Sequence, residues 1–342
     1  MKPQGVLAGA AALAILSGAA WAGPKVDWHW SVHGNPRAFT VGIDTLAAYV
    51  KQRTNGDFNV QVHYGESISP AKEVLDSIKV GAIEGGIMCI SYAPGKAPLQ
   101  GVLDLPFLPF ANLEVQRQVH EAVYKHPAIE KEMKQWNGFS FFSALLPQYE
   151  FMGVGDPPRK LDDWKGRRVR ALAGLGEAMR VLGAVPTTVP SPETYTALER
   201  GVVQAVSLPF SYAHAAYRLE EVSKWYTLGM RPGTVNCPLV LSLSAWDRLP
   251  AEYRDLLQEA KPGAYAAMVK AYKEVDEKNI PMFDKTGLQR LTYSDAQHDE
   301  FQKAAGKPVW DRWVAEMKGK GLPGQELLDF VLAEAKKAGG SS

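Results

Sequence analysis

Arg170 is the side chain of this sequence whose type and position best fit a chemical role. It lies in the segment from Asp163 to Ser211, near the end of the first of three strands that alternate with two helices. A guanidinium is a planar fork of fixed N–H donors that pairs with a carboxylate through two contacts, whereas a lysine offers a single charge. The position therefore predicts a site that holds an anion. A structural ion pair between two parts of the fold is the alternative.

Motifs of catalysis are absent from the sequence. It contains no HExxH, no paired CxxC, no glycine-rich phosphate loop with its lysine and no G-x-S-x-G elbow. The 7 histidines are scattered along the chain. We therefore expect a binding protein without metal or cofactor and not an enzyme. The alternative is a hydrolase or lyase that uses Glu150 or a histidine as its base.

The elements that position Arg170 form two blocks of alternating strands and helices. Hydrophobic periodicity and turn residues predict them. The predicted strands are Val26 to His33, Phe58 to Tyr64, Gly86 to Ile90, Arg167 to Ala171, Val185 to Val189, Val203 to Leu208 and Asn236 to Ser244. The predicted helices include 41–53, 176–182, 192–200 and one from Leu249 towards Ile280. This order predicts an α/β fold of two lobes, with mainly parallel sheets flanked by helices. Ligands of such sheets bind beyond the carboxyl ends of the strands.

The first residues predict a secretory signal peptide. Lys2 supplies a positive start, Val6 to Ala20 is apolar, and Ala20-Trp21-Ala22 forms a small-x-small cleavage site. The apolar run is shorter than the ~20 residues that span a membrane. We expect residues 1–22 to be removed and the mature chain to reside in the periplasm.

Prolines after Leu146 indicate hinges between the lobes. Pro147 and the pair Pro157-Pro158 flank a short strand-like run. We assign residues 23–146 and about 235–275 to the first lobe. Residues 147–234 and about 276–342 form the second lobe and the C-terminal helices.

The charge balance excludes a nucleic-acid partner. The chain has 38 basic and 37 acidic residues and no basic stripe, so the counterion release that drives nucleic-acid binding has no surface to act on.

The two cysteines, Cys89 and Cys237, lie in apolar, strand-like runs. An exported protein is permitted a disulfide. Because cysteine is among the residues most often buried as a thiol, we expect two buried free thiols, with a disulfide as the alternative.

Several motifs together resemble the solute-binding proteins of TRAP (tripartite ATP-independent periplasmic) transporters, DctP family. They are DDWKGRRVRALAG, LGAVPTTVP and ETYTALERGVVQAV in the second block, YAPGKAPLQGVLDLPFL from Tyr92, and LSAWDRLPAEYRDLL from Leu243. The resemblance implies the two-lobed periplasmic fold with hinge strands and a long connecting helix, closing on a small organic acid. It implies partners in the membrane, the small and large permease proteins, and we expect a monomer. Arg170 matches the arginine that holds the ligand carboxylate.

Two positions depart from the family pattern. Many acid-binding members carry a second arginine where this chain reads Pro147 to Glu150, and an asparagine where it has Leu208. We therefore predict a monocarboxylate with an apolar or aromatic body. A dicarboxylate or 2-oxo acid is the alternative ligand, and a ligand-sensing module is the alternative to transport.

Further candidate ligand residues lie at strand ends. In the second lobe the candidates for the cavity wall are Tyr149, Leu208, Phe210 and Tyr212, with ordinary core packing as the alternative. In the first lobe the candidates are Trp30, His33, Asn35 and Tyr92. Glu150 either orients Arg170, meets a cationic group of the ligand or is a solvated surface carboxylate.

Overall fold

Two β-sheets organise the chain in a computed structural model that describes residues 25–339. The strands are β1 (Val26–Ser31), β2 (Phe58–His63), β3 (Gly85–Ile87), β4 (Gly138–Ser143), β5 (Tyr149–Gly153), β6 (Arg168–Arg170), β7 (Val185–Thr187), β8 (Ala205–Pro209), β9 (Trp225–Leu228), β10 (Pro238–Ser242) and β11 (Gln289–Thr292). The predicted signal peptide lies outside the described residues. None of the helices within them has the length and apolar character needed to cross a membrane.

The helices pack on the faces of these sheets. They are α1 (Val41–Arg53), α2 (Val74–Lys79), α3 (Leu113–Tyr124), α4 (Pro127–Lys134), α5 (Ala173–Val181), α6 (Thr194–Glu199), α7 (Tyr212–Ala216), α8 (Leu243–Arg248), α9 (Ala251–Lys285), α10 (Asp295–Gly319) and α11 (Gly324–Lys337). The seven strands predicted with bounds are all present, each end within three residues of its predicted position, and the short strand-like run after Pro147 is β5.

Each sheet forms the centre of one lobe. The first has the strand order β2-β1-β3-β10-β4 and the second has the order β11-β9-β5-β8-β6-β7. The predicted two-lobed α/β fold is confirmed. We call the layers built on these sheets the first and the second lobe, and the residue boundaries given above stay a prediction.

Every antiparallel pairing among the described strands involves β5 or β10. Strand β5 runs antiparallel to β8 and β9, and β10 runs antiparallel to β3 and β4. The chain enters both strands from the other lobe, as it does β11, which instead pairs in parallel with β9. The remaining pairings are parallel, as expected for strands joined by helical crossovers within one lobe.

The predicted long connecting helix is α9, with 35 residues. Its N-terminal part packs along α1 of the first lobe. Towards its C-terminal end, Asp276 accepts hydrogen bonds from Ser211, and Asp284 accepts one from Tyr226 of β9. One rigid helix therefore contacts both lobes.

The cysteines form a disulfide, so our expectation of two free thiols is wrong. The S–S distance between Cys89 and Cys237 is 1.99 Å. Cys89 follows β3 and Cys237 precedes β10, and the antiparallel register that pairs Ile87 with Leu239 places the two cysteines opposite each other. Their separation of 148 residues hides this proximity in the sequence.

Asp104 is a buried carboxyl group that holds the start of the crossing strand β10. Its Oδ1 accepts a hydrogen bond of 2.5 Å from the backbone N–H of Asn236, and its Oδ2 has no partner among the described residues. Burial raises the pKa of this carboxyl group to about 8, although the bond from Asn236 opposes the shift. In the unfolded chain, the carboxyl group of an aspartate ionises near pH 4. Stability from this group is therefore complete at low pH and is lost as the pH rises through about 8.

We expect Asp104→Asn to raise the melting temperature at pH 9 by about 5 °C, because a neutral amide keeps the acceptor and removes the buried charge. Differential scanning calorimetry from pH 5 to pH 9 measures this. Burial also raises the pKa of Glu132 and of Glu150 to about 7, so the difference between variant and wild type isolates Asp104. The exposed Asp162→Asn serves as control. Parallel curves for Asp104→Asn and wild type across this range would contradict the assignment.

A candidate ligand site between the lobes

A small cavity lies between the two lobes. Its volume is about 20 Å³, enough for about one water molecule. It is lined by His33, Arg37, Phe39, Cys89, Tyr92, Leu146, Tyr149, Ser191, Pro209, Tyr212, Ala213, Tyr217, Val235 and Cys237. The cavity therefore draws on both lobes, and none of these lining residues is acidic.

Direct contacts join the two lobes across the cavity. Tyr92 of the first lobe lies with its Oη 3.0 Å from the Ser191 Oγ of the second, and the backbone N–H of Ser191 donates to the same Oη at 3.2 Å. The rings of Phe39 and Tyr212 are nearly parallel, with centroids 6.5 Å apart. This is a closed arrangement, so a ligand larger than water requires the lobes to part.

Arg170 lies directly behind this contact, at the end of β6. Its guanidinium is completely buried. Nε donates to the carbonyl of Val189 at 2.8 Å, Nη1 to the carbonyl of Ser207 at 2.6 Å and Nη2 to Ser191 Oγ at 3.2 Å. Ser191 thus connects Arg170 to Tyr92 and the first lobe.

The charge of Arg170 is not neutralised by any of these partners. A guanidinium has five N–H donors, and three of them are used here, which leaves one on each terminal nitrogen. None of the three partners is a carboxylate. Because a buried charge without a counterion is costly, this environment favours an anion supplied from outside the chain.

Four of the predicted site residues meet in the cavity lining: His33, Tyr92, Tyr149 and Tyr212. Burial raises the pKa of Tyr149 and of Tyr212 well above the usual value, so both phenols remain protonated donors. Burial, assisted by Arg37 and Arg170, lowers the pKa of His33. The imidazole of His33 is therefore neutral at neutral pH.

Four other predicted residues do not line the cavity. Trp30 is fully buried in the first lobe with its ring against Gly85, and the side chain of Asn35 is exposed. Leu208 is a core residue of β8. The ring of Phe210 lies 6.0 Å from that of Tyr226. In this closed arrangement Leu208 and Phe210 pack in or against the core, which was the alternative given for both residues.

Glu150 lies away from the cavity and is not a surface carboxylate. It accepts hydrogen bonds from Thr227 Oγ1 at 2.6 Å and from the backbone N–H of Gly229 at 2.7 Å, and more weakly from Met230 and Arg231. Surface exposure was a wrong expectation because β5, which carries Glu150, lies between β8 and β9 in the interior of the sheet. Its contacts hold the loop after β9.

Arg37, Phe39, Ser191 and Tyr217 line the cavity but were not among the predicted site residues. Arg37 follows Gly34-Asn35-Pro36, a run that in the sequence signals only the end of a strand. Gly34 has φ +66°, and a Cβ there would lie 2.9 Å from Tyr217 Oη and 3.0 Å from Arg37 Nη1. A glycine at this turn lets the second lobe close against the loop. Gly34 was therefore the feature of the sequence that could have pointed to Arg37 and Tyr217.

Two α/β lobes that close over a small cavity, with a buried cation directly behind its lining, are the arrangement of receptors that enclose a small solute. This chain belongs to the DctP family: the model of "bacterial extracellular solute-binding protein, family 7" matches residues 35–317. The family predicted from the motifs is thereby confirmed.

Relatives and solved structures agree with this assignment. A monocarboxylate 2-oxoacid-binding periplasmic protein of Nostoc sp. is 25% identical over 86% of this chain and 85% of its own. The C4-dicarboxylate-binding periplasmic protein of Rhodobacter capsulatus is 28% identical over 92% and 94%. A TRAP solute-binding protein from Rhodoferax ferrireducens, solved with copurified benzoate, superposes with a TM-score of 0.83 at 17% identity, covering 92% of this chain and 98% of that one.

Proposed function

We propose that this protein is the periplasmic receptor of a TRAP transporter, which captures a small organic carboxylate and delivers it to the small and large permease subunits in the membrane. The favoured ligand is a monocarboxylate with an apolar or aromatic body. The export that this function needs rests on the predicted signal peptide, residues 1–22.

One observation carries the proposal: the completely buried Arg170 has no carboxylate among its partners and keeps one N–H on each terminal nitrogen. A ligand carboxylate that accepts from both nitrogens would supply the missing counterion. The site lies between the lobes, where a ligand touches both of them.

The cavity lining supports an apolar ligand body. Phe39, Leu146, Ala213 and Val235 contribute hydrocarbon, and the tyrosines contribute rings with neutral hydroxyl groups. Leu208 stands where many family members have a polar asparagine. The benzoate-bound structure is consistent with the favoured ligand. The Nostoc relative keeps a 2-oxo acid and the Rhodobacter relative keeps a dicarboxylate as the alternatives.

Closure follows from contacts to both lobes. A ligand that binds Arg170 through the second lobe and the Tyr92 side through the first lobe stabilises the closed form over the open form. The receptor needs no energy source for this step. The driving ion and the transport step belong to the membrane partners.

Ligand released from the purified protein by denaturation and identified by mass spectrometry tests the proposal. Isothermal titration against benzoate, 3-hydroxybenzoate, butanoate, 2-oxobutanoate, succinate and malate complements it. We expect an intact monoacid in the released fraction and tighter binding of monoacids than of succinate or malate. Tight binding of succinate or malate without response to any monoacid would overturn the ligand class, and conversion of a bound acid to a product would favour an enzyme.

A further inference from the structure

Arg37 lines the cavity, and one edge of its guanidinium makes no hydrogen bond within the described residues. Its Nη1 donates to the carbonyls of His33 at 2.9 Å and Asn35 at 2.8 Å. Its Nε is buried without a partner among the described residues, and Nη2 has no protein acceptor there either. The edge formed by Nε and Nη2 is the side-on fork with which arginine grips a pair of oxygens or a single strong acceptor.

Two aromatic rings hold this guanidinium in place. Its central carbon lies 4.8 Å from the centroid of Phe39 and 5.6 Å from that of Tyr217. Stacking on aromatic faces fixes the plane of an arginine without using its donors. The arginine is thus oriented by the fold, while its hydrogen-bonding edge stays available.

Other unpartnered polar atoms surround the same place. Tyr217 Oη and His33 Nδ1 are buried and lack partners among the described residues, and both residues line the cavity with Arg37. Acidic residues of the neighbourhood are engaged elsewhere, since Asp44 accepts from Tyr64 and Glu66 from the backbone of Ala71. Buried polar groups nearly always have a hydrogen-bond partner. A bound ligand can supply the partner that these atoms lack.

We infer that Arg37 is a specificity-determining residue of the first lobe, which recognises a second oxygen acceptor on the bound acid, a hydroxyl or oxo group on its body. This inference rests on the proposed function and narrows its ligand class. The carboxylate meets Arg170 in the second lobe, and the additional oxygen meets Arg37 and Tyr217. An acid with both groups binds each lobe through a charge-assisted contact, which favours closure.

Matched ligand pairs test this in combination with Arg37→Gln. The pairs are benzoate with 3-hydroxybenzoate and butanoate with 2-oxobutanoate, which differ in one oxygen function. For the wild type we expect at least one oxygenated acid to bind about 10-fold or more tighter than its parent, because a hydrogen bond to a charged group is roughly twice as strong as one between neutral groups. In Arg37→Gln the ratio falls towards one while the parent acid keeps its affinity within a few-fold.

Control variants separate this role from a structural one. Arg53→Gln removes a guanidinium of the first lobe that also lies over a ring, 5.3 Å from Tyr49, far from the cavity lining, and it leaves the ratios unchanged. Arg37→Lys keeps the charge but not the fork, and gives an intermediate ratio in a protein that remains folded by circular dichroism.

The remaining outcomes would overturn either the role of Arg37 alone or the proposed function as a whole. Equal ratios in wild type and Arg37→Gln, or no gain from the extra oxygen in the wild type, overturn the role of Arg37 and leave the receptor function standing. Absence of binding by every acid of the panel overturns the proposed function, and the inference falls with it.

Discussion

Arg170→Ala is expected to weaken binding of the tightest acid of the panel by about 100-fold or more. Removing one partner of a buried charge pair costs about 3 to 5 kcal/mol, since the ligand carboxylate is left in a closed, water-poor site without its counterion. Arg170→Lys retains the charge but loses the fork, so its affinity is also poor. Isothermal titration at one ionic strength measures both variants.

Arg168→Ala is the matched control for this prediction. It lies on the same strand two residues away, is exposed, and donates to the carbonyls of Val202 and Gly201. We expect it to bind as the wild type does. Because Arg170 also satisfies two buried carbonyls, the unliganded Arg170→Ala protein is expected to melt a few degrees lower, and circular dichroism verifies that it is folded. Unchanged affinity in a folded Arg170→Ala protein would show that Arg170 is not the anchor.

Replacing both cysteines is expected to have the largest effect on stability. The Cys89–Cys237 bond closes a loop with a sequence separation of 148 residues. In the chain-entropy model, cross-links across loops of this size stabilise the fold by about 4 to 5 kcal/mol. For Cys89→Ser combined with Cys237→Ser we therefore expect a melting temperature roughly 10 °C lower.

Thermal melting with and without a phosphine reductant tests this prediction, the reduced wild type serving as the control for the substitutions. The backbone bonds beside the disulfide, from Met88 N to Pro238 O and from Ile90 N to Asn236 O, remain in both, so the variant is expected to fold. Alkylation of denatured, unreduced wild type provides an independent check. Labelling of both cysteines there would contradict the disulfide.

Regular elements were predictable from the sequence because their signals are local. Alternation and turn residues gave β1, β2, β6 and β7 within a few residues. The strands β9 and β11, of four residues each, were not predicted from the sequence. The helix α9 continues through Pro262 and Pro281 to Lys285, because packing against both lobes outweighs the local cost of proline.

The site was predictable only in part, since it is assembled from loops. Arg170 and Tyr92 follow from strand ends and from the family resemblance. Arg37 and Tyr217 do not, because their proximity depends on how the two lobes close. Cys89 and Cys237 show the same limit: each looks like a buried thiol in its own segment, and only the register of β3 with β10 makes them partners.

The position of β10 has a consequence for how the chain acquires its structure. This strand lies between β3 and β4 in the first sheet, although it is made after all but one of the strands of the second. Until residue 242 has been synthesised, the first sheet consists of β2-β1-β3 and the separate strand β4, whose unpaired edges favour aggregation. The first sheet therefore cannot be complete before β10 exists, and a fragment that ends before Pro238 is not expected to be an independent folding unit.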